Sequence, residues 1–154
     1  MQFQNRITPF LSFKSEAEEA ANWYVSVLPN SRILRTVKNP HTNAVMTVEF
    51  ELAGLTFVAL NTGQAWEFTG AISLAVACET QDEIDELWSK LLEGGNEIAC
   101  GWLKDKYGVH WQIVPAMIGQ MIGDPDPERA KRVFDAMCQM IKLDIVKLKE
   151  AYDG

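Results

Sequence analysis

Along residues 11–33, LSFKSEAEEAANWYVSVLPNSRI, an alternating apolar stretch gives way to apolar positions at three- and four-residue steps. Residues 76–98, VACETQDEIDELWSKLLEGGNEI, make the same change. Each pattern predicts a strand followed by an amphipathic helix. Superposed, Ser15 falls on Thr80, Glu18 on Glu83, Trp23 on Trp88, Val27 on Leu92 and Ile33 on Ile98. Ser15 with Glu18 and Thr80 with Glu83 have capping-box spacing, in which hydroxyl and carboxylate satisfy free N–H groups of the first turn. Pro29 and Gly94-Gly95 provide stops.

Strands follow each helix. ILRTV (33–37) and AVMTVEFEL (44–52) flank the polar tip KNPHTN, and Gly54 opens LTFVALN. In the second copy IACGWLKD leads through a short turn to Gly108 and VHWQIVP, with Gly54 superposing on Gly108. The expected fold is α+β: two tandem βαβββ modules, 5–62 and 70–116, joined by a linker over 63–69, within a single domain spanning 1–154. A C-terminal helical region over 124–152 follows the GDPDP stretch. There Ala130, Val133, Phe134, Met137, Ile141, Ile145 and Leu148 give one apolar face.

Strand alternation assigns sides. In AISLAVAC, Ile72, Leu74, Val76 and Cys78 form a large row expected against the helix, while Ala71, Ser73, Ala75 and Ala77 form a small row facing a cavity. In GVHWQIV, Val109, Trp111 and Ile113 belong against the helix; His110, Gln112 and Val114 face the other way. Glu49 and Glu51 alternate with Val48, Phe50 and Leu52, which reads as a solvent or rim face. Trp23 and Trp88 are read as core, and His41 as a solvated loop residue.

Composition narrows the partners. The net charge is −7 and no basic stripe forms, which argues against nucleic acid or an anionic membrane surface. No segment has the ~20 apolar residues of a membrane span, and MQFQNRITPF lacks a secretory apolar run. Cys78, Cys100 and Cys138 are odd in number and widely spaced, as in a reduced, cytoplasmic protein.

The strings ITPFLSF, Trp23-Tyr24, TQDEIDELW, CGWLKDKYGVHWQIVP and DPDPERAKRVFDAM resemble the PhnB-like, or demethylubiquinone-methyltransferase-like, branch of the vicinal oxygen chelate superfamily. That superfamily includes glyoxalases, bleomycin-resistance proteins and extradiol dioxygenases. The resemblance implies curved half-barrel modules whose concave sides enclose a pocket, and a homodimer. It also implies where metal-dependent members hold their ion: the first and last strand of each module, here Thr8, Val58, Ala71 and Gln112. An alanine and a valine supply no donor, so neither a metal nor another cofactor is expected. The chain contains no G-x-G, the glycine pattern that methyl transfer from S-adenosylmethionine usually employs.

The candidate site residues are Ser12, Ser73, His110, Gln112, Trp66 and Phe68. The serines have no base beside them and read as hydrogen-bond partners. Trp66 and Phe68, in the linker, could close over a pocket or a subunit seam. His110 and Gln112, two apart on one strand face, could recognise a polar group, and an imidazole titrates near neutrality. Two functions follow: metal-free binding of a small molecule in a pocket between the modules, or a small-molecule enzyme of lyase, isomerase or transferase type with His110 as its base and Gln112 in the site.

Overall fold

The computed structural model describes residues 6–154, so the expected start of the first module at Asn5 lies outside the described residues. Between Glu67 and Phe68 the chain divides into two compact units. Among the described residues no helix is long and apolar enough to cross a membrane.

The first unit runs β1 (Phe10–Phe13), α1 (Ala17–Val27), β2 (Arg32–Lys38), β3 (Val45–Leu52) and β4 (Leu55–Asn61). Its sheet has the order β1-β4-β3-β2, with β1 parallel to β4 and the other pairs antiparallel. One face packs on α1. Ala17, Ala20 and Ala21 let the helix approach closely, and Tyr24 stacks on Phe50, which stacks in turn on Phe57. Trp23, expected in the core, is only half-buried; Tyr24 takes that place.

The first capping box does not form, because α1 has no side-chain cap of its own. Asn61 does the work from the end of β4, on the rung it shares with Phe13. Its Oδ1 accepts from the Ala17 N–H at 2.9 Å, and its Nδ2 donates to the Val45 carbonyl at 3.0 Å. Between β3 and β4 the chain reverses in two residues, Ala53 and Gly54, at φ 47° and 92°. Such a turn matches the twist of the strands but requires the left-handed region, which suits Gly54 and strains Ala53.

The second unit repeats the plan as β5 (Ser73–Cys78), α2 (Gln81–Leu92), β6 (Asn96–Glu97), β7 (Trp102–Lys104) and β8 (His110–Pro115), ordered β5-β8-β7-β6. Here the capping pair does form. Thr80 Oγ1 accepts from the Glu83 N–H at 3.2 Å, and the Glu83 carboxylate accepts from the Glu79 N–H at 2.7 Å. Helix α2 buries Ile84, Leu87, Trp88 and Leu91. Ile72 departs from expectation: it precedes β5 and is 79% exposed, so it does not join the row against the helix.

The internal repeat extends to the hydrogen-bond ladders. The shift that lays Ser15 on Thr80, combined with the one that lays Gly54 on Gly108, carries Phe10↔Val58 onto Ala75↔Gln112 and Phe13↔Asn61 onto Cys78↔Pro115. The chain is therefore two copies of one βαβββ design, α+β in class.

Past β8 lie α3 (Ile118–Ile122), α4 (Pro127–Cys138) and α5 (Ile145–Asp153). The helical region expected over 124–152 is present but broken at 139–144. At the break the Met140 and Ile141 carbonyls leave the helix and accept from Cys100 and Gly101 N–H, at 2.8 and 2.7 Å. Asp144 then caps α5 through the Lys147 N–H. Val133, Leu143, Leu148 and Met121 form a buried cluster, against which Val114 of β8 packs. Phe134 and Ile141, placed on the same apolar face by the sequence, remain about half exposed.

Candidate functional site

In the second unit, three of the sequence candidates meet on the side of the sheet turned away from α2. Their placement begins with Asp105, in the turn between β7 and β8, which is 2% exposed. Its Oδ1 accepts from the Tyr107 and Val109 N–H groups at 2.8 and 3.0 Å, and its Oδ2 accepts from Trp111 Nε1 at 2.8 Å. Its own N–H donates to the Val109 carbonyl, and its carbonyl accepts from the Gly108 N–H. A carboxylate accepting several N–H bonds is a strong local organiser. It closes the turn, fixes where β8 begins and pins the Trp111 indole to the helix side. Because strand side chains alternate, His110 and Gln112 must then face the opposite side. The burial of β8 alternates accordingly: Trp111, Ile113 and Pro115 are buried, while His110, Gln112 and Val114 are intermediate.

On that side Gln112 Nε2 donates to Ser73 Oγ at 2.8 Å. His110 stands on the rung of Ser73 and beside Lys104, while Gln112 pairs with Ala75 and Trp102. The imidazole lies against Gly70, where an added Cβ would stand 3.4 Å from His110 Cδ2. His110 Nδ1 is buried and has no hydrogen-bond partner. Buried polar atoms are nearly always paired, so this nitrogen stands out on the polar face of the sheet. Ala75 and Ala77 of β5 are exposed, which leaves open space beside the cluster. Phe68 packs over Gly108 at the turn. Ser12 and Trp66 belong to the first unit: Ser12 lies half-buried on β1, and Trp66 is 61% exposed.

Glu49 corrects the sequence reading. Expected at a solvent or rim face, it is buried at 8% exposure, with Oε1 unpartnered. Strand β3 is internal to its sheet, between β4 and β2, so side chains of both neighbouring strands flank its row and lower the exposure that alternation alone suggests. Thr47, next in the same row, also has a buried hydroxyl without a partner.

The metal positions implied by the resemblance do not assemble a donor set. Val58 is buried aliphatic surface, Thr8 and Ala71 each precede their strands, and the Gln112 amide is engaged by Ser73. Among the described residues no three His, Cys, Asp or Glu side chains converge. The residues present do not fit a divalent metal of the kind that needs several N or O ligands. Cys78 faces the helix side of β5, and burial, reinforced by Glu83 and Glu79, pushes its thiol up to about 11. A thiol held neutral is a poor nucleophile.

A family model described as 3-demethylubiquinone-9 3-methyltransferase matches residues 5–114. The chain belongs to this family. It is 34% identical to the PhnB protein from Bacillus cereus, described as a 3-demethylubiquinone-9 3-methyltransferase, with a TM-score of 0.66 over 71% of this chain and 99% of that chain. The fold is also that of a Pseudomonas aeruginosa protein, at 18% identity and TM-score 0.58, covering 73% of this chain and 98% of that one. The fosfomycin resistance protein FosX from Listeria monocytogenes, complexed with Mn(II) and sulfate, matches at 14% identity and TM-score 0.52, over 73% and 92% of the two chains. The fold is that of the vicinal oxygen chelate superfamily. No curated protein matches the chain. The family description implies a methyl-donor cofactor, and the residues here do not fit one of the adenosyl type. The strand-to-helix turns, Lys14-Ser15-Glu16 and Glu79-Thr80, contain no glycine, and the Ser15 and Glu79 N–H groups are already taken by carboxylates.

Proposed function

We propose that this PhnB-like protein binds a small molecule on the face of the second unit's sheet turned away from α2. Ser73, His110 and Gln112 hold its polar group, without a metal. The observation that carries this reading is the buried, unpartnered His110 Nδ1 beside the Gln112–Ser73 bond. Lys104, on the rung of His110, adds a positive charge, so the recognised group is an oxygen-rich anion such as a carboxylate. Trp102, on the rung of Gln112, offers apolar surface to the rest of the ligand. Three unpaired thiols fit a reducing cytoplasmic setting, and a homodimer, implied by the resemblance, fits the exposed Ile72, Phe134 and Val146.

Thermal melting of the wild type, His110→Ala and Gln112→Ala with phenylacetate and benzoate tests the reading. A rise in Tm confined to the wild type supports it, and equal responses in all three contradict it. The alternative, an enzyme in which His110 moves a proton, rests on the same unpaired nitrogen. It requires turnover of a bound compound that disappears in His110→Ala while binding through Gln112 persists.

A further inference from the structure

Two of the three thiols lie together in the second unit, and the site above uses neither. Cys100 and Gly101 are the central residues of a tight turn between β6 and β7, closed by the Trp102 N–H donating to the Ala99 carbonyl at 3.2 Å. Their φ angles, 61° and 81°, put both in the left-handed region. The turn is fastened on two sides. The Cys100 and Gly101 N–H groups donate to the Met140 and Ile141 carbonyls at 2.8 and 2.7 Å, and the Gly101 carbonyl accepts from the Ile113 N–H of β8 at 2.8 Å. Cys138 is the last residue of α4, two before Met140. The backbone bonds that join the turn to the helical break therefore carry Cys100 to the end of α4.

There the two side chains meet. Desolvation holds the Cys138 thiol above its ordinary range, and a hydrogen bond to the Cys100 sulfur and the charges of Cys100 and Asp135 raise it further. Both thiols are free; Cys138 is exposed and Cys100 half-buried, so solvent reaches the pair. Cys78 is unlike them, buried on β5 with its thiol pushed up to about 11. When two thiols touch, a sulfenic acid formed on one is captured by the other before it oxidises further.

We propose that Cys100 and Cys138 form a reversible oxidation site that consumes a hydroperoxide and closes a disulfide between the β6–β7 turn and the end of α4. One sulfur, as its thiolate, attacks the terminal peroxide oxygen. An S–O bond forms, the O–O bond breaks, and the leaving oxygen takes up the proton that the thiol gave up. The second thiol's sulfur then attacks the sulfenic sulfur; the S–S bond forms, the S–O bond breaks, and the departing hydroxide leaves with the second proton as water. Two thiols lose two electrons in all, and the peroxide gains them. The new bond reinforces the two backbone hydrogen bonds at Met140 and Ile141, so oxidation fastens the C-terminal helices to the second sheet. In a reducing compartment such a bond is transient, and glutathione reopens it by thiol–disulfide exchange. The site goes beyond the function proposed above and does not depend on it.

The test treats reduced, folded protein with a small excess of hydrogen peroxide, blocks the remaining thiols and maps the peptides by mass spectrometry without reduction. The expected product is one intramolecular Cys100–Cys138 link, with Cys78 still a free thiol, and millimolar glutathione restores both cysteines in the folded protein. Cys138→Ser, an exposed and conservative change, gives no link and carries Cys100 on to sulfinic acid. Amide exchange across residues 139–144 slows at least tenfold on oxidation of the wild type and is unchanged in Cys138→Ser. Separate sulfinic acids on both cysteines of the wild type overturn the proposal, as does a link between two chains or a link to Cys78. A disulfide that glutathione does not reopen, or exchange at 139–144 that oxidation leaves unchanged, overturns it as well.

Discussion

Removing the Asp105 carboxylate is expected to disorganise the second unit's site from behind. Asp105 accepts three N–H donors, from Tyr107, Val109 and Trp111 Nε1, and itself is 2% exposed. Hydrogen bonds to a charged group contribute about 1.5–3 kcal/mol each. The Tyr107 N–H lies in a part-buried turn where water can replace the carboxylate; the Val109 N–H and the Trp111 indole are buried and would lose their partner outright. Counting those two, Asp105→Ala should destabilise by about 4 kcal/mol, near the upper end for single substitutions. Asp105→Asn can keep both bonds to Oδ1 but turns an NH2 group toward the Trp111 N–H, so about 2 kcal/mol is expected. Urea unfolding followed by circular dichroism, compared at equal m, measures both. His110 and Gln112 should lose their fixed orientation in the same variants, seen as exchange broadening of their NMR signals. A loss below about 1 kcal/mol for Asp105→Ala would refute the view that this carboxylate organises the hairpin.

Other outcomes follow from particular residues. Ala53→Asn should raise stability by about 0.5–1 kcal/mol, because Asn tolerates the left-handed backbone at φ 47° and Asn-Gly suits a two-residue turn; a drop in denaturation midpoint would count against the strain. With its thiol held up at about 11 and buried, Cys78 should alkylate last in native protein at pH 8, after the exposed Cys138, and catch up only as pH rises; peptide mass spectrometry after timed iodoacetamide exposure reads the order. Asp124 is held below the usual carboxylate range, chiefly by the Tyr152 hydroxyl. A carboxyl lowered in the folded state stabilises above its unfolded pKa, and that contribution is lost as pH falls through the folded one. Acid should therefore loosen α5, seen as faster amide exchange near Tyr152, and Tyr152→Phe should flatten that dependence.

Much of this architecture was legible because the chain repeats itself. Ser15 over Thr80 and Gly54 over Gly108 are local signals, and they located two βαβββ modules whose ladders coincide rung for rung. The facing of His110 and Gln112 was equally legible from period-two alternation, since Trp111 and Ile113 can only belong inside. What escaped depended on contacts distant in sequence. Asn61 caps a helix 44 residues away, in place of the Ser15–Glu18 pair that the local spacing suggested. The backbone link from Cys100 and Gly101 to Met140 and Ile141 accompanies a break in what reads as one amphipathic helix. Glu49 looked like a rim residue because alternation says which side a residue faces but not whether that side is covered. The role of Asp105 was hidden by its neighbours, Lys104 and Lys106, which make the turn look like ordinary solvated charge.

The proposed occupant of the face bearing Ser73, His110 and Gln112 is a molecule that the protein itself does not supply. A high-resolution crystal structure of the protein purified from its native cells tests this most directly. Non-protein density is expected within hydrogen-bonding distance of His110 Nδ1, beside an intact Gln112–Ser73 contact and with the carboxylate of Asp105 still closing the turn. A structure in which a side chain or main-chain atom of the protein fills that face and pairs with His110 Nδ1 would contradict it.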